Sequence, residues 1–139
     1  MLPASSIAAG LVFACTPVAV WDGDGPIHCA EGPKVRLAGI AAREISGGCR
    51  EHHPCPRAAG EAARDNLVRI LGGARGMARE GHVLVQGPRL SCRSFGMTYG
   101  RVAALCSAPE VGDLSCTQVR AGVALPWPGG NRPQFRCQD

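Results

Sequence analysis

Apolar residues crowd the stretch from Phe13 to Trp21 and stop at Asp22-Gly-Asp-Gly25, the pattern of a strand running into a turn. Pro26 to Ala30 returns as a second strand. After a turn at Glu31-Gly-Pro33, Lys34 to Ile40 reads as a third strand, with Val35 and Leu37 on one face and Arg36 on the other. Glu44 to Pro56 has no period and reads as an irregular loop. Ala59, Ala63, Leu67, Ile70 and Leu71 then recur at helical spacing, predicting a helix from Arg57 to Leu71 that Gly72-Gly73 ends. A fourth strand follows in two segments, His82 to Gln86 and Leu90 to Cys92. A turn around Gly96–Gly100 leads into a fifth strand, Arg101 to Cys106. Asp113 to Val123 reads as a short second helix with Asp113 as its N-cap. The tail from Pro126 to Pro133 is too rich in proline and glycine to be helical.

Three strands, a helix, two strands and a helix predict a mainly-β fold with α, a small five-stranded Greek-key barrel of the OB type with one longer and one short helix. The length agrees: 139 residues suffice for one domain with one core. With 45% hydrophobic and 19% charged residues the composition is globular, which excludes a disordered chain. No apolar run approaches the ~18 residues of a membrane span. Residues 1–14 are small and apolar and read as a leader, so the folded domain is expected over residues 15–139.

Eight cysteines in so short a chain point to an oxidising compartment, secreted or periplasmic, and to a disulfide-stapled fold. They allow about 105 connectivities. Their positions favour one: Cys92 with Cys106 across the turn at Tyr99, Cys15 with Cys29 across the Asp22–Gly25 turn, Cys49 with Cys55 around a small loop, and Cys116 with Cys137 in the tail. The rival use of cysteine is metal binding. Cys49-Arg-Glu-His52-His53-Pro-Cys55 carries zinc-type ligands, but they are too crowded to close easily on one ion, and no Cys-x-x-Cys pair exists. His52 and His53 are therefore read as solvated loop residues.

A net charge of +4, with 14 arginines and one lysine, permits nucleic-acid binding without requiring it. Several motifs fail. Asp22-Gly-Asp-Gly25 is no calcium loop of the EF-hand type, because Pro26, Ile27 and Pro33 stand where a ligand, the turn glycine and the closing Glu belong. His28-Cys-Ala-Glu31 lacks the spacing and the distal cysteine of a zinc deaminase. No Walker loop, His-Glu-x-x-His or serine elbow occurs.

What holds is an ordered set of pieces: Val20-Trp-Asp-Gly-Asp24, Val35-Arg-Leu-Ala-Gly-Ile40 with Glu44, the helix from Arg57, Tyr99-Gly-Arg101-Val-Ala, and Val119-Arg-Ala-Gly-Val-Ala124. In order and spacing these resemble the staphylococcal-nuclease (thermonuclease) family over residues 18–125. The resemblance implies that Arg36 and Arg101 grip a scissile phosphate, that Glu44 activates water and that Tyr99 helps hold substrate. It also implies that Asp24, supported by Asp22, binds Ca²⁺ or another divalent ion. Such a nuclease would act as a monomer on single-stranded DNA or RNA. The residue types suit the chemistry. Phosphodiester hydrolysis gathers negative charge that guanidiniums answer, and water needs a base at neutral pH.

The departures bear on the metal. Ala41 stands where the family has a second calcium-binding aspartate, Arg43 where it has proline, and Gly25 where it has threonine. Loss of a carboxylate weakens a site for a hard cation, and Arg43 is expected to repel the ion. The tail looks too short for the family's last helix. The alternative function is thus a catalytically impaired nuclease-like module that binds nucleic acid or protein without cleaving it. An inert exported domain is the third reading.

Overall fold

The computed structural model describes residues 6–127 and Cys137. Eleven strands and two helices follow in the order β1 (Val12–Cys15), β2 (Pro17–Asp22), β3 (Gly25–Cys29), β4 (Lys34–Leu37), β5 (Ile40–Ala42), α1 (Gly60–Ile70), β6 (Gly76–Met77), β7 (Val83–Leu84), β8 (Leu90–Thr98), β9 (Arg101–Ala108), β10 (Gly112–Asp113), α2 (Leu114–Arg120) and β11 (Ala124–Pro126). The fold is mainly β with two helices, as the sequence implies. Five strands become eleven because the first and third predicted strands are cut, the two segments of the fourth stand as β7 and β8, and three short strands, β6, β10 and β11, are added. Thr16 separates β1 from β2, which then pair with different partners, β8 and β3. Gly39, at φ 82°, ends the strand predicted to Ile40, and Ile40–Ala42 pairs instead with β11. Val12–Ala14, expected within the apolar leader, form the start of β1.

The main sheet is open and mixed, running β1-β8-β9-β4-β3-β2-β7-β6, with β10 on β9. The hydrogen-bonded path does not close into the expected five-stranded barrel. Neighbours are antiparallel except β4 and β9, whose parallel register sets Arg36 opposite Ala103. Strands β8 and β9 form a long hairpin turned by Tyr99 and Gly100, at φ 50° and 79°, the left-handed geometry that suits a two-residue hairpin loop.

The core is aliphatic. Val20, Ile27, Val35, Leu37, Ile40 and Val102 from the strands are fully buried against Ala63, Leu67 and Leu71 of the α1 segment. Burying one such leucine is worth about 2 kcal/mol before cavity effects. The α1 helix begins at Gly60 rather than Arg57 and buries Ala63, Leu67 and Leu71 of the predicted stripe together with Gly60 and Val68, while Ile70 is half-buried and Ala59 exposed. Helix α2 begins as expected, with Asp113 Oδ1 accepting the Cys116 N–H at 2.9 Å.

All four disulfides form in the expected pairing, Cys15–Cys29, Cys49–Cys55, Cys92–Cys106 and Cys116–Cys137. Cys92 and Cys106 lie directly opposite each other in the hairpin register. The Cys49–Cys55 bond removes both thiolates from the zinc-type cluster. Residues 128–136, where most of the predicted non-helical tail falls, lie outside the described residues, as do residues 1–5 of the predicted leader.

Candidate functional site

The β2–β3 turn is held from three sides. A Cβ on Gly23 would meet Ala63 Cβ at 2.3 Å, so the turn lies directly on α1. The fully buried Gln118 of α2 donates Nε2 to the Gly23 carbonyl at 2.8 Å and to the Ala63 carbonyl at 2.9 Å. Gly25 has φ 109°, and a Cβ there would meet the Val35 carbonyl oxygen at 2.5 Å. That explains glycine where the resembling family has threonine. Asp24 is thereby aimed inward, and its Oδ2 accepts from Arg36 Nη2 at 3.1 Å and from the Ala42 N–H at 3.2 Å. Beside it Asp22 is buried and accepts the Asp24 N–H through Oδ1 at 3.3 Å. Burial first, then the adjacent Asp24 carboxyl, push the Asp22 pKa up to about 9, so it carries a proton at neutral pH.

Arg36 is no surface residue: it is only 4% exposed. Besides Asp24, its guanidinium donates to the Leu37 carbonyl and lies 5.4 Å from the centroid of the Trp127 ring. The parallel β4–β9 register brings Arg101 alongside it, two residues before Ala103 and on the same face. Among the described residues no side-chain hydrogen bond or ion pair engages the Arg101 guanidinium. Burial, then Arg50 and Arg36 nearby, lower its pKa. It remains a cation, since arginine starts so high.

Glu44 is set by its backbone. Its N–H donates to the Gly48 carbonyl at 2.8 Å, and its own carbonyl accepts the Gly47 N–H at 2.9 Å. Gly60 packs on that carbonyl so closely that a Cβ would come within 2.1 Å of it. Arg43 turns away from the site. Its Nε and Nη2 donate to the Pro56 carbonyl at 3.1 and 2.7 Å, and its Nη1 to the Gly47 carbonyl at 2.8 Å. Arg43 is therefore a clamp closing the loop, and the expectation that it faces and repels an ion is corrected.

The same loop carries two residues the sequence reading missed. Arg50 brings Nε to 4.0 Å from Glu44 Oε1. His53, expected in solvent, instead stacks on Trp127 with ring centroids 3.8 Å apart. Burial, with Arg36 and Arg50 beside it, lowers the His53 pKa and favours the neutral imidazole. Only His52 is solvated as expected, its Nε2 3.5 Å from Glu51 Oε1. The available signal was the short Cys49–Cys55 spacing, which folds Arg50 and His53 back on the site.

Asp22, Asp24, Arg36, Glu44, Arg50 and Arg101 line one pocket of about 150 Å³, with His53 and Trp21 also on its wall. Tyr99 does not line it: the side chain stands at the hairpin tip, 91% exposed. With Asp22 protonated, three guanidiniums face the two remaining carboxyl groups, those of Asp24 and Glu44. The pocket suits an anion.

The Ca²⁺ that the resemblance implies is poorly matched. Ala41 offers no oxygen from its buried side chain, Asp24 is engaged by Arg36 and the Ala42 N–H, and Asp22 holds a proton. Among the described residues no group of three or more His, Cys, Asp or Glu converges as a metal site.

No family model, curated protein or solved structure matches this chain. No helix among the described residues is long and apolar enough to cross a membrane. Four disulfides fit an oxidising, extracytoplasmic setting.

Proposed function

We propose that this pocket binds a phosphodiester of single-stranded DNA or RNA and hydrolyses it. The observation that carries the reading is that Glu44 and the guanidiniums of Arg36, Arg50 and Arg101 line the same small pocket. A base and a phosphate clamp are thereby within one reaction volume. Glu44 takes a proton from water as the water oxygen bonds to phosphorus. The arginines stabilise the charge that builds on the non-bridging oxygens, and the ester P–O bond breaks with protonation of the leaving oxygen from solvent. No step is assigned to Ca²⁺, because the donor set does not fit it.

The thermonuclease-like OB reading of the fold is supported by strand continuity. The path from β1 through β8, β9, β4 and β3 to β2 begins and ends on segments separated by Thr16 alone. Antiparallel hairpins and one parallel β4–β9 pairing accompany it.

A second reading, a module that holds phosphate without cleaving it, is favoured by Ala41 and by the engagement of Asp24 with Arg36. One experiment separates the two. Labelled single-stranded DNA and RNA are incubated with the oxidised protein in Ca²⁺, in Mn²⁺ and in chelator, beside Glu44→Gln. Hydrolysis is expected to fall about 100-fold or more in Glu44→Gln while binding persists. Binding without cleavage under every condition leaves the module reading. Neither binding nor cleavage removes both.

A further inference from the structure

Trp21 lines the pocket but takes no part in the phosphate chemistry. It sits on β2 next to Asp22, on the pocket wall, yet keeps 36% of its surface in water. A large aromatic ring at the rim of a cationic pocket loses apolar hydration only when something covers it.

The ring is also braced by its neighbours. Its centroid lies 4.9 Å from that of His82, tilted by 52°, and His82 in turn lies 4.6 Å from His28 on β3. Gly81, at φ 104°, passes so near that a Cβ would meet Trp21 Cζ3 at 3.2 Å. The turn carrying Gly81 and His82 is closed by the Ala78 N–H donating to the His82 carbonyl at 2.8 Å and the Gly81 N–H to the Ala78 carbonyl at 3.0 Å. Trp21 is thus an oriented surface, with little rotamer freedom left to lose on binding.

We infer that Trp21, braced by His82, is a stacking platform for the nucleobase next to the phosphate held by Arg36, Arg50 and Arg101. This rests on the phosphodiester reading and deepens it. It assigns the ligand as a nucleotide strand with an unpaired base rather than a bare phosphate ester. Every base has a π-face, so the platform selects single strands over duplexes without selecting a sequence.

The test compares a fluorescently labelled oligothymidylate with an abasic strand of equal length, by anisotropy, using the oxidised full chain under non-cleaving conditions. The base-bearing strand is expected to bind about tenfold more tightly. Trp21→Ala should erase that ratio while leaving the abasic affinity unchanged, and Trp21→Phe should retain most of it. Equal binding of the two strands by the native chain overturns the platform and leaves the phosphate reading standing. So does an equal loss on both strands in Trp21→Ala when Trp21→Phe behaves alike. Binding of neither strand removes the phosphodiester reading and the platform with it.

Discussion

The Asp24 carboxylate faces the Arg36 guanidinium at 3.1 Å, and both are largely withdrawn from water, with side chains 15% and 5% exposed. This pair occupies the position at which the resemblance places a metal ligand. Asp24 therefore acts first as an internal partner, orienting a buried arginine and answering its charge. Breaking such a pair from one side costs about 3 kcal/mol. Asp24→Ala is expected to lose about that much in urea unfolding of the oxidised protein. An unchanged midpoint would show that the pair is not structural.

Asp22 makes stability depend on pH. Its folded-state pKa is raised to about 9, well above the ordinary carboxylate value, so the folded protein holds a proton that the unfolded chain releases. The contribution is complete below pH ~4, where both states are protonated, and is lost as pH rises toward 9. The unfolding free energy from urea titration should therefore fall between pH 7 and 8.5, with a limiting slope of about 1.4 kcal/mol per pH unit, and the midpoint with it. That range lies largely above the titration of His28 and His53, whose pKa values are lowered by burial and neighbouring cations. Asp22→Asn should flatten the dependence. A native midpoint that rises over this range contradicts the assignment.

Glycine at the start of a helix ordinarily invites stabilisation by alanine, worth up to about 1 kcal/mol. At Gly60 the sign reverses, because the added carbon would lie 2.1 Å from the backbone oxygen of Glu44. Neither atom can swing aside as a flexible side chain could. Gly60→Ala should destabilise by about 1–3 kcal/mol, the usual range for overpacking, and should lower hydrolysis by displacing Glu44. A stabilised variant with full activity would show that the helix start does not position that residue.

The loop between Cys49 and Cys55 carries Arg50 and His53 to the pocket wall. Closing so short a loop stabilises the fold by about 2 kcal/mol in the chain-entropy model. Cys49→Ser with Cys55→Ser should cost no more than that in urea unfolding. Oligonucleotide affinity should drop about tenfold, the equivalent of one charge-assisted contact. Unchanged affinity would place Arg50 outside the phosphate clamp.

Arg101 makes no side-chain hydrogen bond or ion pair among the described residues, so its guanidinium is available to a bound phosphate. Arg101→Ala should weaken oligonucleotide binding and reduce the slope of log affinity against log salt by about one. A loss of affinity with an unchanged salt slope would mean that Arg101 supports the fold and touches no phosphate.

Much of this architecture was legible because it is local. The β2–β3 turn, the apolar stripe of α1 and the Asp113 cap each follow from neighbours within a few positions, where the period of the chain and the chemistry of its turn residues decide. Two disulfides, Cys15–Cys29 and Cys92–Cys106, were legible for a related reason, as hairpins set their cysteines at matched distances from the turn; Cys49–Cys55 followed from its short spacing and Cys116–Cys137 by elimination. The breaks at Thr16 and Gly39 were not legible. Each depends on which distant strand offers hydrogen bonds, as do the two-residue strands β6 and β10, too short to carry a period.

By itself the sequence determined the mainly-β class, the staple pattern and the candidates Asp22, Asp24, Arg36, Glu44 and Arg101, all of which reach one pocket. Tertiary structure alone decided their states. Burial put a proton on Asp22, the β4–β9 register joined two arginines, and the close approach of Ala42 and Arg36 turned Asp24 inward. It alone moved Arg50, His53 and Trp127 to the site and left Tyr99 at the hairpin tip. Desolvation and long-range contact arise only when separate segments meet, and no local pattern encodes them.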